Sequence, residues 1–581
     1  MPPETYDYPT VHFLSDVWSF VKPYKWEFIF WSAVRAIAGT PLLLTPLILG
    51  KMVDTISASQ VDIGMLWSLV AAAVIIEIIT PTIRLKSKFH LNNLKREIQK
   101  DVRLKGLSKV VELDLSWHED QVTGATMARI TYGADMVSKF LDFWDKDGWD
   151  IIVSIVGGFA VFTMLDAKYG FLLLLTIAVY SLAESIGYRH LSEKRQQERK
   201  VAEGMFGKVY EFAHNIRTIK SLGLGKVVLK RAAAAEESNL RAEYHIASVG
   251  NRKWRVVQTL FGVFKGLFVV VVCYDIIRGN LSAGALLVYV TYFSTIQARL
   301  IKISDNMDGL IESKNGVYRL MLILDTHPEV EKGGDLKSVG HIDSLKFDGV
   351  DFSYKDKEVL SGVSFDIRSG ERVGIVGQSG VGKSTLFKLL LKLYRPKSGS
   401  ILINGIPSDR VKRDSITSHL SIVPQETELF NLSFKENVTM SASDFDRRRY
   451  NQAIRVSASD EIIERLPDKD ASIIGEKGVR LSGGERQRLG IARAIYKGCD
   501  VILLDEATSH LDSRTERRII DGMESSLKGV TLIVIAHRLS TLKSMDRILV
   551  FSGGSIVEQG SFASLLSKKG VFQQLHKMQS R

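Results

Sequence analysis

The sequence predicts two unlike parts in one chain: an α-helical membrane domain over residues 1–325 and, after a linker over 326–340, an α/β domain over 341–581. Two observations carry this. Apolar residues crowd into the first 300 positions as six long runs. From about His341 the pattern changes to short β-rich stretches alternating with helical ones. The whole-chain averages hide the division. Of 581 residues, 45% are hydrophobic and 24% charged, which excludes a disordered or fibrous chain. Two cysteines, Cys273 and Cys499, one in each part, argue against a disulfide framework or a cysteine metal site.

The six runs lie near Phe28–Leu49, Ile63–Ile83, Trp149–Leu165, Tyr169–Tyr188, Val256–Tyr274 and Leu281–Ala298. Each approaches the ~20 residues that cross a bilayer. The third and fourth form a tight hairpin around Asp166, Ala167 and Lys168. No basic start followed by a short apolar core precedes them, so no cleavable leader is expected.

Charge sets the orientation. The formal balance is +12, from 77 Lys+Arg and 65 Asp+Glu. Much of the excess falls between runs two and three (Lys86, Lys88, Lys95, Arg96, Lys100, Arg103, Lys105) and between four and five (Arg189, Lys194, Arg195, Arg199, Lys200). Basic loops stay on the cytoplasmic side, so both long connections and the N-terminus are placed there and nucleic acid is not invoked. None of the 12 prolines falls between Thr82 and His327. Helices can therefore run on tens of Å beyond the bilayer as long cytoplasmic extensions. Prolines 41, 46 and 81 are candidate kinks. Arg35, Glu77, Glu184 and Lys265 interrupt the apolar runs. Such charges face a bundle interior or a wet cavity, or else form structural ion pairs; the four are candidates for a polar cavity open to the cytoplasm.

In the second part, an apolar strand from Arg372 leads into Gly377, Gln378, Ser379, Gly380, Val381, Gly382, Lys383, Ser384 and Thr385, and then into a helix. This is the context of a P-loop. Glycines let backbone N–H groups wrap phosphates, Lys383 reaches the β/γ oxygens, and the Ser384 hydroxyl suits Mg²⁺. The second part is therefore expected to be an α/β P-loop nucleotide-binding domain. The apolar strand Val501–Leu504 delivers Asp505 and Glu506 at its end. Asp505 suits the Mg²⁺ shell, and Glu506 suits a base that orients the attacking water. Between these motifs, Ser482, Gly483 and Gly484 open a helix, which makes a second anion site. One chain already has a phosphate cradle, so the second site implies completion by another subunit.

With these motifs in place, the whole chain resembles an ATP-binding cassette half-transporter of the exporter type, six membrane helices followed by one cassette. The resemblance implies that Tyr354 stacks on adenine and that Thr385 sits beside the phosphates. It implies that Gln425 senses Mg²⁺ and the membrane domain. Ser482, Gly483 and Gly484 contact ATP held by the opposite subunit, Glu485 belongs to the same nucleotide-binding motif, and Asp512 lies in the loop coupling the two sites. Glu506 is the catalytic carboxylate and His537 the switch histidine. Leu113 to Thr126, with Trp117, and Tyr210 to Leu224 resemble coupling helices. Two positions depart from the family: Glu485 stands where Gln is common, and His510 where a small residue is usual.

The resemblance implies ATP-driven export or flipping of an amphipathic drug, lipid, lipid-linked or peptide substrate. The cofactors are ATP and Mg²⁺, the partner a second copy or a related half-transporter, and the setting a prokaryotic inner membrane with its lipids. Import of a bulky ligand on the same fold, or a nucleotide-gated channel or regulatory subunit, are the alternatives.

Overall fold

The computed structural model describes residues 8–119, 121, 123–328, 336–355, 357–440, 444–475, 479–536 and 538–579. The chain forms two compact units. One comprises Met1–Val111 and Gly124–Asp325, the other Glu112–Thr123 and Thr326–Arg581.

In the first unit, six helical spans are long and apolar enough to cross a membrane: Thr10–Ser57, Ile63–Glu112, Thr126–Leu165, Ala167–Arg195, Gly225–Ile277 and Ala283–Leu324. They contain the six apolar runs, apart from Leu281 and Ser282 at the start of the sixth, and continue past them. The helices Ile63–Glu112, Ala167–His214 and Gly225–Ile277 have 50, 48 and 53 residues. At 1.5 Å per residue each is roughly 70–80 Å long, more than twice a bilayer's ~30 Å apolar core. Proline acts where the sequence places it. Pro41 falls in the first turn of a 3₁₀ segment, Thr40–Leu43, which separates Lys25–Gly39 from Leu44–Ser57. Pro81, in contrast, sits inside the 50-residue helix without ending it. At the tight hairpin, Asp166 stops one helix and caps the next, its Oδ1 accepting from Lys168 N at 3.0 Å.

The apolar interior of this unit is aromatic, with Phe162, Tyr169, Phe268, Tyr289, Tyr292 and Phe293 all buried. Glycines set the closest approaches. A Cβ on Gly284 would overlap the Gly50 carbonyl oxygen. Beside that crossing, Asp54 accepts from Gly284 N at 2.7 Å and Ser282 Oγ at 2.8 Å. Lipid offers no hydrophobic force to press helices together, so close backbone packing and such bonds take its place.

Several charges inside this unit are paired. A π-helical turn, Trp144–Gly148, precedes the helix Trp149–Leu165. It presents Asp145, which lies 3.8 Å from Arg35 Nε and 3.5 Å from Lys95 Nζ. Lys95 also pairs with Asp142, and Asp150 pairs with Arg84 and, at 3.7 Å, with Arg299. Removing one partner from such a group would leave an uncompensated charge, the costly outcome in a low dielectric. Each of the four residues considered for a polar cavity has its own setting. Arg35 is buried in the group just described. Glu184 pairs with Lys253 at 2.7 Å, and Lys265 donates to Ser294 Oγ at 2.9 Å. Glu77 is exposed, as are Val74, Ile75, Ile78 and Ile79 on the same helix.

The second unit is built on a mixed sheet and an antiparallel one. Its strands are β1 (Ser344–Tyr354), β2 (Lys357–Arg368), β3 (Arg372–Gly377), β4 (Ser398–Ile403), β5 (Ile406–Pro407), β6 (Leu420–Val423), β7 (Leu432–Ser433), β8 (Ile473–Ile474), β9 (Val501–Asp505), β10 (Thr531–Ile535), β11 (Arg547–Ser552) and β12 (Ser555–Gly560). The six-stranded sheet has the order β12-β11-β3-β10-β9-β6, the four-stranded one β2-β1-β4-β5, and β7 pairs with β8. β11, β3, β10, β9 and β6 are parallel, and β12 joins antiparallel at the edge. The five residues of β9 are buried throughout, as a strand covered on both faces requires. Of the linker expected over 326–340, residues 329–335 lie outside the described residues. Lys337 is tied to the cassette, its N donating to Arg410 O at 2.8 Å and its O accepting from Lys412 N at 2.9 Å. The segment Glu112–Thr123, expected to contact the cassette, belongs to this unit. Its short helix Leu115–Glu119 packs Leu115 against the core around Phe387, and Glu119 lies 3.7 Å from Lys388 Nζ. Trp117 is half-buried with its ring edge-on to His118.

The glycine crossing gives a direct test of the membrane packing. Gly284→Val should destabilise the detergent-solubilised protein by about 1–3 kcal/mol, the usual cost of overpacking, read as a lower unfolding temperature. A neutral effect would mean that the Gly50–Gly284 approach is not a close contact.

Candidate nucleotide site

The parallel register decides where the site forms. Across the sheet, Ile535 of β10 pairs with Ile375 of β3 and with Asp505 of β9. The chain leaves β3 and β9 at the same C-terminal edge, where ligands of open parallel sheets bind. After β3 comes the loop Gln378–Gly382. Its turns need left-handed backbone at Gly380 (φ 81°) and Gly382 (φ 97°), and a Cβ on Gly382 would lie 2.7 Å from Leu360 Cδ2. The helix Lys383–Leu390 follows at once, so its free N–H groups and positive end face the loop.

Lys383 folds back over this loop and donates to Gly377 O at 2.9 Å and Gln378 O at 2.8 Å. Burial pushes its ammonium pKa down, while Glu506 and Asp505 pull it back up. Ser384 Oγ donates to Asp505 Oδ1 at 3.0 Å, and burial raises the Asp505 carboxyl above its usual range. Glu506 takes a left-handed conformation (φ 52°) that turns the chain sharply at the end of β9. Such a conformation is strained for a residue other than glycine and persists where surrounding structure holds it. Here Glu506 N donates to Ile535 O at 3.1 Å, and Gln425 Nε2 donates to its Oε2 at 2.9 Å. Tyr354, Ser379 to Thr385, Gln425 and Glu506 line one cleft of about 810 Å³. Tyr354 OH lies 3.4 Å from Thr385 Oγ1.

Ser482, Gly483, Gly484 and Glu485 line a different cavity, of about 360 Å³, with Asp512. They open the helix Gly483–Lys497 through a capping box. Ser482 Oγ accepts from Glu485 N at 3.4 Å, and Glu485 Oε2 accepts from Ser482 N at 2.8 Å. Glu485 also pairs with Arg465, so the departure from the common Gln brings an ion pair with it. Asp512 caps the next helix, accepting from Arg514 N and Thr515 N, and these bonds hold its carboxyl below the usual range. The structure thus gathers the P-loop residues, Gln425, Asp505 and Glu506 in one place and sets the Ser482–Glu485 group in another. His537 lies outside the described residues.

Sequence reasoning missed one residue that joins the two places. Gln487 is buried at 2% exposure and bonds to the carbonyl of Glu506 and to both the backbone and the ring of His510. Its only sequence signal is an uncharged polar residue between Arg486 and Arg488.

Comparison with known proteins gives a consistent picture. Residues 360–509 match the ABC transporter family model and residues 28–300 the ABC transporter transmembrane region. The chain is 30% identical to an ATP-dependent lipid A-core flippase of Chromobacterium violaceum, over 84% of this chain and 83% of that protein. It is 27% identical to the uncharacterized ABC transporter ATP-binding protein YwjA of Bacillus subtilis, over 97% and 99% of the two chains. A solved structure of a bacterial Atm1-family ABC exporter with ATP bound superposes with a TM-score of 0.85 at 26% identity, covering 95% of this chain and 98% of that one.

The loop geometry predicts that Gly382→Ala lowers affinity for a fluorescent ATP analogue at least roughly tenfold, about 1.4 kcal/mol. An unchanged dissociation constant would show that the left-handed turn at residue 382 is not needed to bind the triphosphate.

Proposed function

We propose that this chain, which belongs to the ATP-binding cassette transporter family, works as one half of a homodimeric lipid exporter whose two ATP sites are each shared between copies. It is a multi-pass integral membrane protein with its cassette in the cytoplasm, and it couples ATP hydrolysis to export or flipping. One observation carries the dimer. The P-loop cleft and the Ser482–Gly484 cavity are separate on the chain. Phosphates held by one are offered to the other only when a second copy faces the first.

In the closed pair, the Gly377–Ser384 backbone binds the phosphates and Tyr354 stacks on the base. The ammonium of Lys383, now bonded to two loop carbonyls, exchanges one of them for a β/γ oxygen. The partner's Ser482–Gly484 helix start closes on the γ-phosphate. Ser384, Asp505 and Gln425 offer a hard, all-oxygen donor set, and the 3.0 Å Ser384–Asp505 contact already brings two of them together. This set fits Mg²⁺, which supplies charge neutralisation at the phosphates when bound. Glu506, held by Gln425, orients the attacking water and takes its proton. His537 is assigned the role of switch histidine. ATP drives closure because it binds the closed pair better than the open one.

The substrate is an amphipathic lipid, supported by the relative named as a lipid A-core flippase, and the setting is a prokaryotic inner membrane. The test uses the full chain in nanodiscs. Glu506→Gln should retain ATP binding, trap the nucleotide and lower turnover by 10²-fold or more, in the range attributed to general-base groups. Turnover at the wild-type rate would remove Glu506 from its role. Stimulation of wild-type ATPase by lipids over peptides and dyes would support the lipid reading, and stimulation by peptides or dyes alone would contradict it.

A further inference from the structure

The loop 506–512 holds a histidine that the shared-site mechanism does not use. His510 follows Ser509 and lines both the Ser482–Gly484 cavity and the adjoining cavity that carries Gln425. A Cβ on Gly483 would meet its ring at 3.6 Å, and one on Gly484 would meet its carbonyl oxygen at 2.9 Å. It therefore lies directly against the helix start assigned to the partner's phosphates.

Its nearest side-chain neighbours are Gln487 and Ser509. The Gln487 Oε1 accepts from His510 N–H at 3.1 Å. The Gln487 Nε2 approaches Glu506 O at 3.3 Å, Gln425 O at 3.5 Å, Ser509 Oγ at 3.1 Å and His510 Nδ1 at 3.1 Å. Two of these partners are carbonyl oxygens, which only accept, and the partner on the other side is a backbone N–H, which only donates. The orientation of the amide is thus set by backbone groups alone, and a flipped amide would face donor to donor and acceptor to acceptor. The Ser509 hydroxyl also lies 3.2 Å from His510 Nδ1; a hydroxyl that accepts from the Gln487 NH₂ is left to donate to that nitrogen. An Nδ1 that accepts from the amide and the hydroxyl belongs to a neutral imidazole with its proton on Nε2.

We propose that neutral His510, as the Nε2–H tautomer, is a positioning residue: its Nδ1 holds the buried amide of Gln487, which in turn holds the backbone at Glu506 and Gln425. Protonation puts a second donor against the Gln487 NH₂ and breaks that contact. Glu485, Arg488 and Asp512 face His510 across one cavity. Glu426, Glu428, Arg480 and Arg486 face it across the other. ATP turnover thereby becomes sensitive to acid through this contact.

This inference rests on the ATP-hydrolysing reading of the site, and its first test does not need turnover. In the full chain in nanodiscs with ¹⁵N-histidine, the spectrum lost in His510→Asn should be that of a neutral imidazole protonated at Nε2 at about pH 8. A signal from the Nδ1–H tautomer or the charged ring overturns the proposal. The second test compares pH profiles. Asn places an amide oxygen near the Nδ1 position but does not titrate. Between about pH 8 and pH 6, wild-type turnover should fall about five- to tenfold more than that of His510→Asn, each relative to its own rate at about pH 8. His510→Ala, which has no acceptor, should also lose the extra acid limb and be slower than His510→Asn at about pH 8. Identical acid limbs in wild type and both variants overturn the proposal. Absence of turnover in the wild type would count against the ATP-hydrolysing reading and leave the spectroscopic result to decide on His510.

Discussion

A single hydrogen bond, from Ser384 Oγ to Asp505 Oδ1, joins the start of the phosphate-binding helix to the end of β9. These elements are separated by more than a hundred residues in sequence and by β10 in the sheet. The contact exists only because β3, β10 and β9 run parallel and in register, so that their ends arrive together. Everything chemical in the cassette depends on that edge. The phosphate cradle leaves β3 and the two carboxylates close β9. Gln425, just beyond β6, reaches Glu506 from the side. Parallel strands need long crossovers, which is why the loops and helices between them carry the remaining site residues.

The second constraint is a division of labour. The Ser482 helix start is held by a capping box and, through Glu485, by an ion pair to Arg465. Yet it lines its own cavity. Under the proposed function, nucleotide held by the P-loop of one copy joins it to the Ser482 helix start of the other. The long helices of the first unit extend far beyond the thickness of a bilayer.

The cassette motifs were legible because each is local. The glycines of the P-loop, the four apolar residues before Asp505 and the Ser-Gly-Gly helix start announce their own conformations. The membrane spans were legible from hydropathy, and the absence of proline foretold their length. What escaped was long-range pairing. Arg35 stood out in an apolar run, but its partner Asp145 lies on a π-helical turn before the third run begins, so no counting along the spans pairs them. Lys95 and Asp142, which belong to that charge group, read in sequence as ordinary loop charges, and Asp150, paired with Arg84 and Arg299, stands at the very start of the third run. Gln487 and His510 escaped for the same reason. Their contact depends on the loop after β9 folding back onto the helix Gly483–Lys497, a tertiary event with no periodic signature.

The account turns on whether phosphates bound by one chain are closed over by the other. Two defective chains test this together: one with Lys383→Ala, which removes the cradle's cation, and one with Gly483→Asp, which puts a carboxylate at the partner-facing helix start. Reconstituted alone, each should be nearly inactive as an ATPase. Co-reconstituted, they should recover activity, because a mixed pair contains one site with an intact cradle and an intact opposing helix. If the mixture stayed as inactive as its parts, the shared site would be refuted.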